Sequence, residues 1–209
     1  MKIFSFRFIL GNLFILLFSC ASVVTKEPRT VSAPPLSRET IELQKKLAEG
    51  ARYVLRSKAL TVRGRTFPRD CSGTVLAIYW YAGIDLGRDL SKYSGNGVTR
   101  IYKSLEKENL LYDSAFPATG DIIFWDNTYD RNGDGQWNDP LTHMGMVLSS
   151  ARDGTIEYVH MNYSQGIVVE YMNLLEPNVH RKLVRGEMKI VNSPIRIKSS
   201  GAKHPPRWL

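Results

Sequence analysis

"RDCSGTVLAIYWYAG", residues 69–83, decides the fold. Asp70 is a good N-cap residue and Gly83 a good C-terminal stop, and the stretch from Cys71 to Tyr81 between them carries no charge. These residues suit a mostly buried helix, so neighbouring segments must pack around it. The stretch also holds Cys71, one of 2 cysteines in the chain.

Upstream, Ser37 offers another N-cap, and Leu43, Leu47, Ala51, Val54 and Leu55 recur at helical spacing, which predicts an amphipathic helix ending near Arg56. A basic loop, "RSKALTVRGRTFPR", joins the two helices. Downstream, "VTRIYKSLEKENLLY" predicts a third helix with Ile101, Leu105 and Leu110 on one face. After Gly120 the pattern changes to strands. "DIIFW", "HMGMVLSS", "TIEYVHM", "GIVVEYM" and "LVRGEMKIV" are short and rich in Val, Ile, Tyr and Met, with turn sequences such as "ARDG" and "NYSQG" between them. Helices followed by a meander predict an α+β domain, its N-terminal helices packed on a central antiparallel sheet of about five strands.

With 209 residues, 43% hydrophobic and 11% aromatic, the chain has room for one globular domain and a leader. The net charge of +8 is scattered and forms no Lys/Arg block, which argues against nucleic acid as a partner. An anionic wall polymer or acidic lipid surface remains as a neighbour.

Lys2 and Arg7 precede or flank an apolar run from Phe8 through Phe18, broken only by Gly11 and Asn12 and too short to span a membrane comfortably. Residues 1–20 are therefore expected to be an export signal. Its end, Leu17-Phe18-Ser19-Cys20, resembles a bacterial lipoprotein box, with Cys20 as the lipidated residue. The bulk of Phe18 leaves ordinary cleavage near "SCA" open. Residues 21–37 are expected to be a flexible linker, 38–198 the folded domain and 199–209 a loose tail. A lipidated Cys20 leaves Cys71 without a partner. Otherwise a Cys20–Cys71 disulfide is conceivable.

At the first turn of its helix, Cys71 meets unpaired backbone N–H groups and the positive end of the helix dipole, from which a lowered thiol pKa is expected. The same N–H groups could hold an oxyanion. A base is still needed. His143 opens one strand and His160 ends the next, so a tight hairpin at "ARDG" places both imidazoles at one end of the sheet. Nucleophile, base and orienting group make up the set that amide cleavage requires. Against this stands a bland alternative, in which Cys71 is core filling and the histidines are structural.

"DCSG" opening a buried helix, followed in order by "TGDIIFW", "HMGMVL" and "YVHM", resembles the signature of NlpC/p60-type cell-wall cysteine peptidases, a papain-like group related to the CHAP amidases. The resemblance covers roughly residues 45 to 172. It implies a papain-like fold, with Cys71 as nucleophile, His143 as base and His160 as orienting residue. It further implies cleavage of amide bonds in peptidoglycan peptide stems without a redox cofactor; with the lipid box at Cys20, a monomer anchored in the bacterial envelope is expected. Tyr53 in "ARYVL" resembles a family tyrosine that helps bind the oxyanion, although the glycines usual after it are absent here. Asp121, in the Gly-Asp motif, is expected to be structural. Two alternatives accompany this expectation: a CHAP-like N-acetylmuramoyl-L-alanine amidase and a non-catalytic wall-binding lipoprotein.

Between the Gly-Asp strand and His143 lies "DNTYDRNGDGQWNDPLTH". Asp130, Asn132 and Asp134 alternate ahead of Gly135, as at the opening of a calcium loop, with the Gln136 carbonyl and Asp139 as further candidate ligands. Leu141 stands where an EF-hand has its closing Glu. A structural Ca²⁺ and a simple Asn/Asp/Gly turn both fit the pattern. Zinc does not, because the loop offers only oxygen ligands.

Overall fold

A computed structural model describes residues 2–4 and 36–195. Apart from 2–4 and 36–37, the expected signal peptide with Cys20, the linker and the C-terminal tail lie outside the described residues. Among the described residues, no helix is long and apolar enough to cross a membrane.

The backbone of Lys2–Phe4 forms a short strand, β1. Ser37 then accepts from the Thr40 N–H at 3.1 Å and opens helix α1, Arg38–Leu55, which buries Leu47, Ala51 and Val54. The basic connection is a small ribbon of β2 (Thr61–Val62) and β3 (Arg65–Thr66), turning through Arg63 and Gly64 at φ 45° and 77°. Arg65 fixes the ribbon to the next helix, with its guanidinium 4.9 Å from the Trp80 ring centre and 3.1 Å from Asp85.

Helix α2 is Cys71–Tyr81, with Val75, Ala77, Ile78 and Tyr79 fully buried, as its uncharged sequence requires. Burial of each large side chain here contributes roughly 1.5–3 kcal/mol. Helix α3, Gly97–Lys107, is shorter than its periodicity predicts. Asn109 takes the left-handed conformation, φ 54°, that commonly ends helices. Leu111–Tyr112 then extends as β4.

The C-terminal half supplies β5 (Ile122–Trp125), β6 (His143–Ser150), β7 (Thr155–Asn162), β8 (Gly166–Asn173), β9 (Arg181–Val184) and β10 (Glu187–Ile190). Strands β5 to β8 form a continuous antiparallel meander. At its β5 edge, β1 pairs with both β5 and β4, within the segment whose sequence predicts a leader.

The expected papain-like fold, with about five strands in one central sheet under the helices, is overturned by this arrangement. From residue 36 onward the strands divide into three small antiparallel sheets of two, four and two, and β4 pairs with none of them. "LVRGEMKIV", read as the fifth strand, instead forms the separate β9–β10 ribbon. The physical reason lies at the outer edge of β8, which residues 192–193 occupy. Asn173 N–H donates to Asn192 Oδ1 at 2.7 Å, and Ser193 N–H to the Tyr171 carbonyl at 2.8 Å.

Alternation along the meander creates two cores. Ile122, Phe124, Met144, Met146 and Val159 face the helices. Ile123, Trp125, Val147, Ile156, Tyr158 and Met172 face the other way and pack with Ile195. His143 and His160 lie at the rim of this second core.

Candidate active site

Asp70 starts the site by fixing the first turn of α2. Its Oδ1 accepts from Gly73 N–H at 2.7 Å and from the Ser72 hydroxyl at 2.8 Å. The glycine of "DCSG" is required at this turn, since a Cβ on Gly73 would stand 2.0 Å from the Pro68 carbonyl oxygen. Cys71 is thereby held, half-buried, at the helix start.

Backbone N–H groups of Met144, Ser72 and Cys71 itself act on the sulfur in the sense that favours a thiolate. Met144 directly follows His143 at the start of β6, and the His143 ring turns to the other face of that strand, beside Trp125. The expected low thiol pKa is corrected. Burial and then the neighbouring Asp70 charge raise it to about 11, and the three N–H groups offset this only in part. At neutral pH the sulfur is a thiol.

His143 Nε2 lies 2.8 Å from His160 Nδ1, and the rings stand nearly perpendicular, at 88°. Burial, and then the proximity of His160, push the His143 pKa down to about 3, so its imidazole is neutral across the physiological range. Gly145 makes room for the second ring, because a Cβ there would meet the Val159 carbonyl at 2.9 Å and His160 Cβ at 3.2 Å. Trp125 and Tyr158 wall the pair, with ring centres 5.7 Å from His143 and 5.1 Å from His160 respectively.

Behind His160 stands Glu170, which the sequence reading missed. Its Oε2 is 3.1 Å from His160 Nε2, a contact too bent to be a good hydrogen bond but close enough to act electrostatically. Asn162 Nδ2 and the Tyr158 hydroxyl donate to the same carboxylate at 3.0 and 3.3 Å. Burial raises the Glu170 pKa, but the adjoining His160 and the hydrogen bonds from Asn162 and Tyr158 outweigh it and hold the carboxyl below its usual range. The detectable signal was a lone charge inside "GIVVEYM", which the register places opposite Tyr158.

An ionised Glu170 favours a proton on His160 Nε2. In the neutral pair His160 Nδ1 then accepts the proton of His143 Nε2–H, leaving the lone pair of His143 on Nδ1.

Tyr53 is half exposed on α1, and its hydroxyl donates to the Thr61 carbonyl at 3.2 Å. Asp121 is buried, and accepts from the Tyr112 hydroxyl and from Ala118 N–H, as a loop-fixing residue should.

In the acidic loop, Asp130 accepts from Gly133 and Gly135 N–H at 2.7 and 2.8 Å, and the φ of Gly135, 74°, permits the sharp turn. Asn132 and Asn138 amides both donate to Asp134. Asp139, the last of the expected ligands, has partners of its own. It is buried, accepting Arg131 N–H at 3.0 Å with the Arg131 guanidinium 3.8 Å away. Gln136 donates its N–H to Asp134 at 2.8 Å. Among the described residues, no three His, Cys, Asp or Glu side chains converge to hold a metal. The loop closes beside the site, where Leu141 N–H donates to Asp126 at 2.6 Å and Thr142 N–H to the Trp125 carbonyl at 2.9 Å, one residue before His143.

Compared with known proteins, the chain matches no family model, no curated protein and no solved structure.

Proposed function

We propose that the chain is a cysteine hydrolase of amide bonds, of the NlpC type suggested by its ordered motifs, acting on the peptide stems of peptidoglycan. The observation that carries this reading is the His143–His160 pair, its ring nitrogens 2.8 Å apart, on the strand whose next residue, Met144, acts through its N–H on the Cys71 thiol.

The chemistry begins with a neutral thiol and a neutral imidazole. As the sulfur attacks the carbonyl carbon, His143 Nδ1 takes the thiol proton and the C=O π pair moves onto oxygen. N–H groups at the start of α2 stabilise this oxyanion. The C–N bond then breaks as His143 returns the proton to the leaving amine, and water hydrolyses the resulting thioester. Glu170, through His160, stabilises the charge that builds on His143.

The proposal extends to an exported protein anchored to the bacterial envelope through Cys20 and working as a monomer. The loop before His143 enters it as a weak structural calcium site, with oxygens from Asp130, Asn132, Asp134 and the Gln136 carbonyl, while Asp139 is occupied by Arg131. Only two carboxylates remain to bind the ion, which places its affinity at roughly 10⁻⁴–10⁻³ M.

Covalent capture tests the reading. A peptidyl vinyl sulfone built on a peptidoglycan stem should label Cys71 alone, and His143→Ala should slow labelling at least about a hundredfold. Equal labelling of native protein and variant removes the proposal.

A further inference from the structure

The β9–β10 ribbon belongs neither to the two cores nor to the site. Its register puts Leu183 opposite Met188 and Arg181 opposite Ile190 on one face, and Lys182 opposite Lys189 on the other. Leu183 and Met188 are 66% and 63% exposed, and Ile190 is 44% exposed. The ribbon thus turns three large apolar side chains into water, on a segment that carries Arg181, Lys182, Arg185 and Lys189 against one acid of its own, Glu187, with Lys182 paired to Glu176 outside it.

This face is not the product of a fraying strand. Arg185 and Gly186, at φ 51° and 85°, make the tight turn that matches strand twist. The stem is tied down by Val191 N–H to the His180 carbonyl at 2.8 Å, and by Asn192 Nδ2 to the carbonyls of Glu176 and Val179, each at 2.7 Å. Two-stranded ribbons are marginal in water, and opposed lysines weaken them further. A firmly held ribbon with an uncovered apolar face and a cationic rim has the chemistry of an interfacial element.

We propose that this ribbon docks on an anionic lipid bilayer. Leu183, Met188 and Ile190 enter the boundary between headgroups and acyl chains. Arg181, Arg185 and Lys189 reach outward along their aliphatic stems to pair with anionic headgroups, while Lys182 is paired with Glu176 at 2.5 Å. Charge complementarity selects an anionic partner, and the apolar face selects lipid over a wall polysaccharide, which would leave that face uncovered. Docking here stands independently of the hydrolase reading.

Oxidation of Met188 reads the contact locally. Full-length protein is treated with dilute peroxide alone, with phosphatidylglycerol–phosphatidylethanolamine vesicles, with phosphatidylcholine vesicles, or with lipid-free sacculi, and sulfoxide at Met188 is followed by peptide mass spectrometry. Anionic vesicles should slow oxidation at least about tenfold, and about 0.5 M salt should restore it. An N-terminal anchor would act on either lipid, so the difference between the two vesicle types reports the ribbon. Leu183→Ser, and the pair Arg185→Gln with Lys189→Gln, should each weaken protection at least about threefold with an unchanged melting temperature and unchanged amide cleavage. An oxidation rate insensitive to anionic vesicles overturns the proposal, as does equal protection by phosphatidylcholine or by sacculi.

Discussion

His143 Nε2 and His160 Nδ1 are 2.8 Å apart, and Glu170 lies 3.1 Å beyond the far nitrogen of His160. In the proposed mechanism this carboxylate biases, through His160, which nitrogen of His143 accepts the proton, and Glu170 acts there as a positioning residue. Glu170→Gln should lower kcat/KM roughly 10- to 100-fold with little change in KM, and Glu170→Asp should recover part of the loss. A drop in melting temperature with kcat unchanged would reduce Glu170 to a packing role.

The two central groups resist ionisation in opposite directions. The folded-state pKa of Cys71 is raised to about 11, so its contribution to stability is complete below the pKa of a free thiol and is lost as pH climbs toward 11. That of His143 is depressed to about 3, so its contribution is present above the ordinary imidazole pKa and is lost as pH falls toward 3. Thermal melts from pH 4 to 7 should show native protein losing stability on acidification more steeply than His143→Gln. Parallel curves would show that His143 titrates normally.

Reactivity should carry the same signature. Iodoacetamide should modify Cys71 slowly at pH 7 and progressively faster above pH 9, and the pH profile of cleavage should be flat across neutrality. Rapid alkylation at pH 6 would reveal a thiolate already formed at rest, and with it an ion pair rather than a neutral couple.

Gly145 gives a steric test. A methyl group there must displace the Val159 carbonyl, His160 or Trp125, which are 2.9 to 3.3 Å from the added carbon. Gly145→Ala should cost roughly 1–3 kcal/mol of stability, and it should lower kcat more than Gly87→Ala, whose added carbon meets only the side-chain ends of Asp85, Arg65 and Leu76 at 3.3 to 3.6 Å. Equal effects on kcat would mean that the ring position is not critical.

Calcium should act on the loop alone. At ten times a millimolar dissociation constant, binding to the native state adds about 1.4 kcal/mol, or a rise of about 3 °C in melting temperature for a domain of this size. Asp130→Asn should abolish the rise. A melting temperature that ignores 10 mM calcium would leave the loop as a hydrogen-bonded turn.

Much of the local structure was legible because its signals are short-range. Ser37 and Asp70 cap their helices, and Cys71–Tyr81 form a buried helix because an uncharged run has no other place to go. The strand assignment at "LVRGEMKIV" misled, because an apolar and basic alternation with an Arg-Gly turn makes a ribbon whether or not a sheet accepts it. Asn192 and Ser193, which take the β8 edge instead, carry no periodic signal. The third helix was overextended because Leu110 continues its spacing although Asn109 has already turned the chain. At the site, Cys71, His143 and His160 could be named as chemical types, and hairpin logic brought the histidines together. Glu170 depended on a register between β7 and β8 that only the folded chain displays. The thiol pKa was misjudged because the helix start was weighed without the burial and the Asp70 charge that oppose it.

The most direct test of the central claim is muropeptide cleavage by purified native protein and by Cys71→Ala, read by mass spectrometry of the products. Native protein should release peptide-stem fragments that identify the amide bond cut, and a variant with an unchanged melting temperature should release none. Fragments produced equally by Cys71→Ala, or by neither protein, would contradict the assignment of Cys71 as the nucleophile of a wall hydrolase.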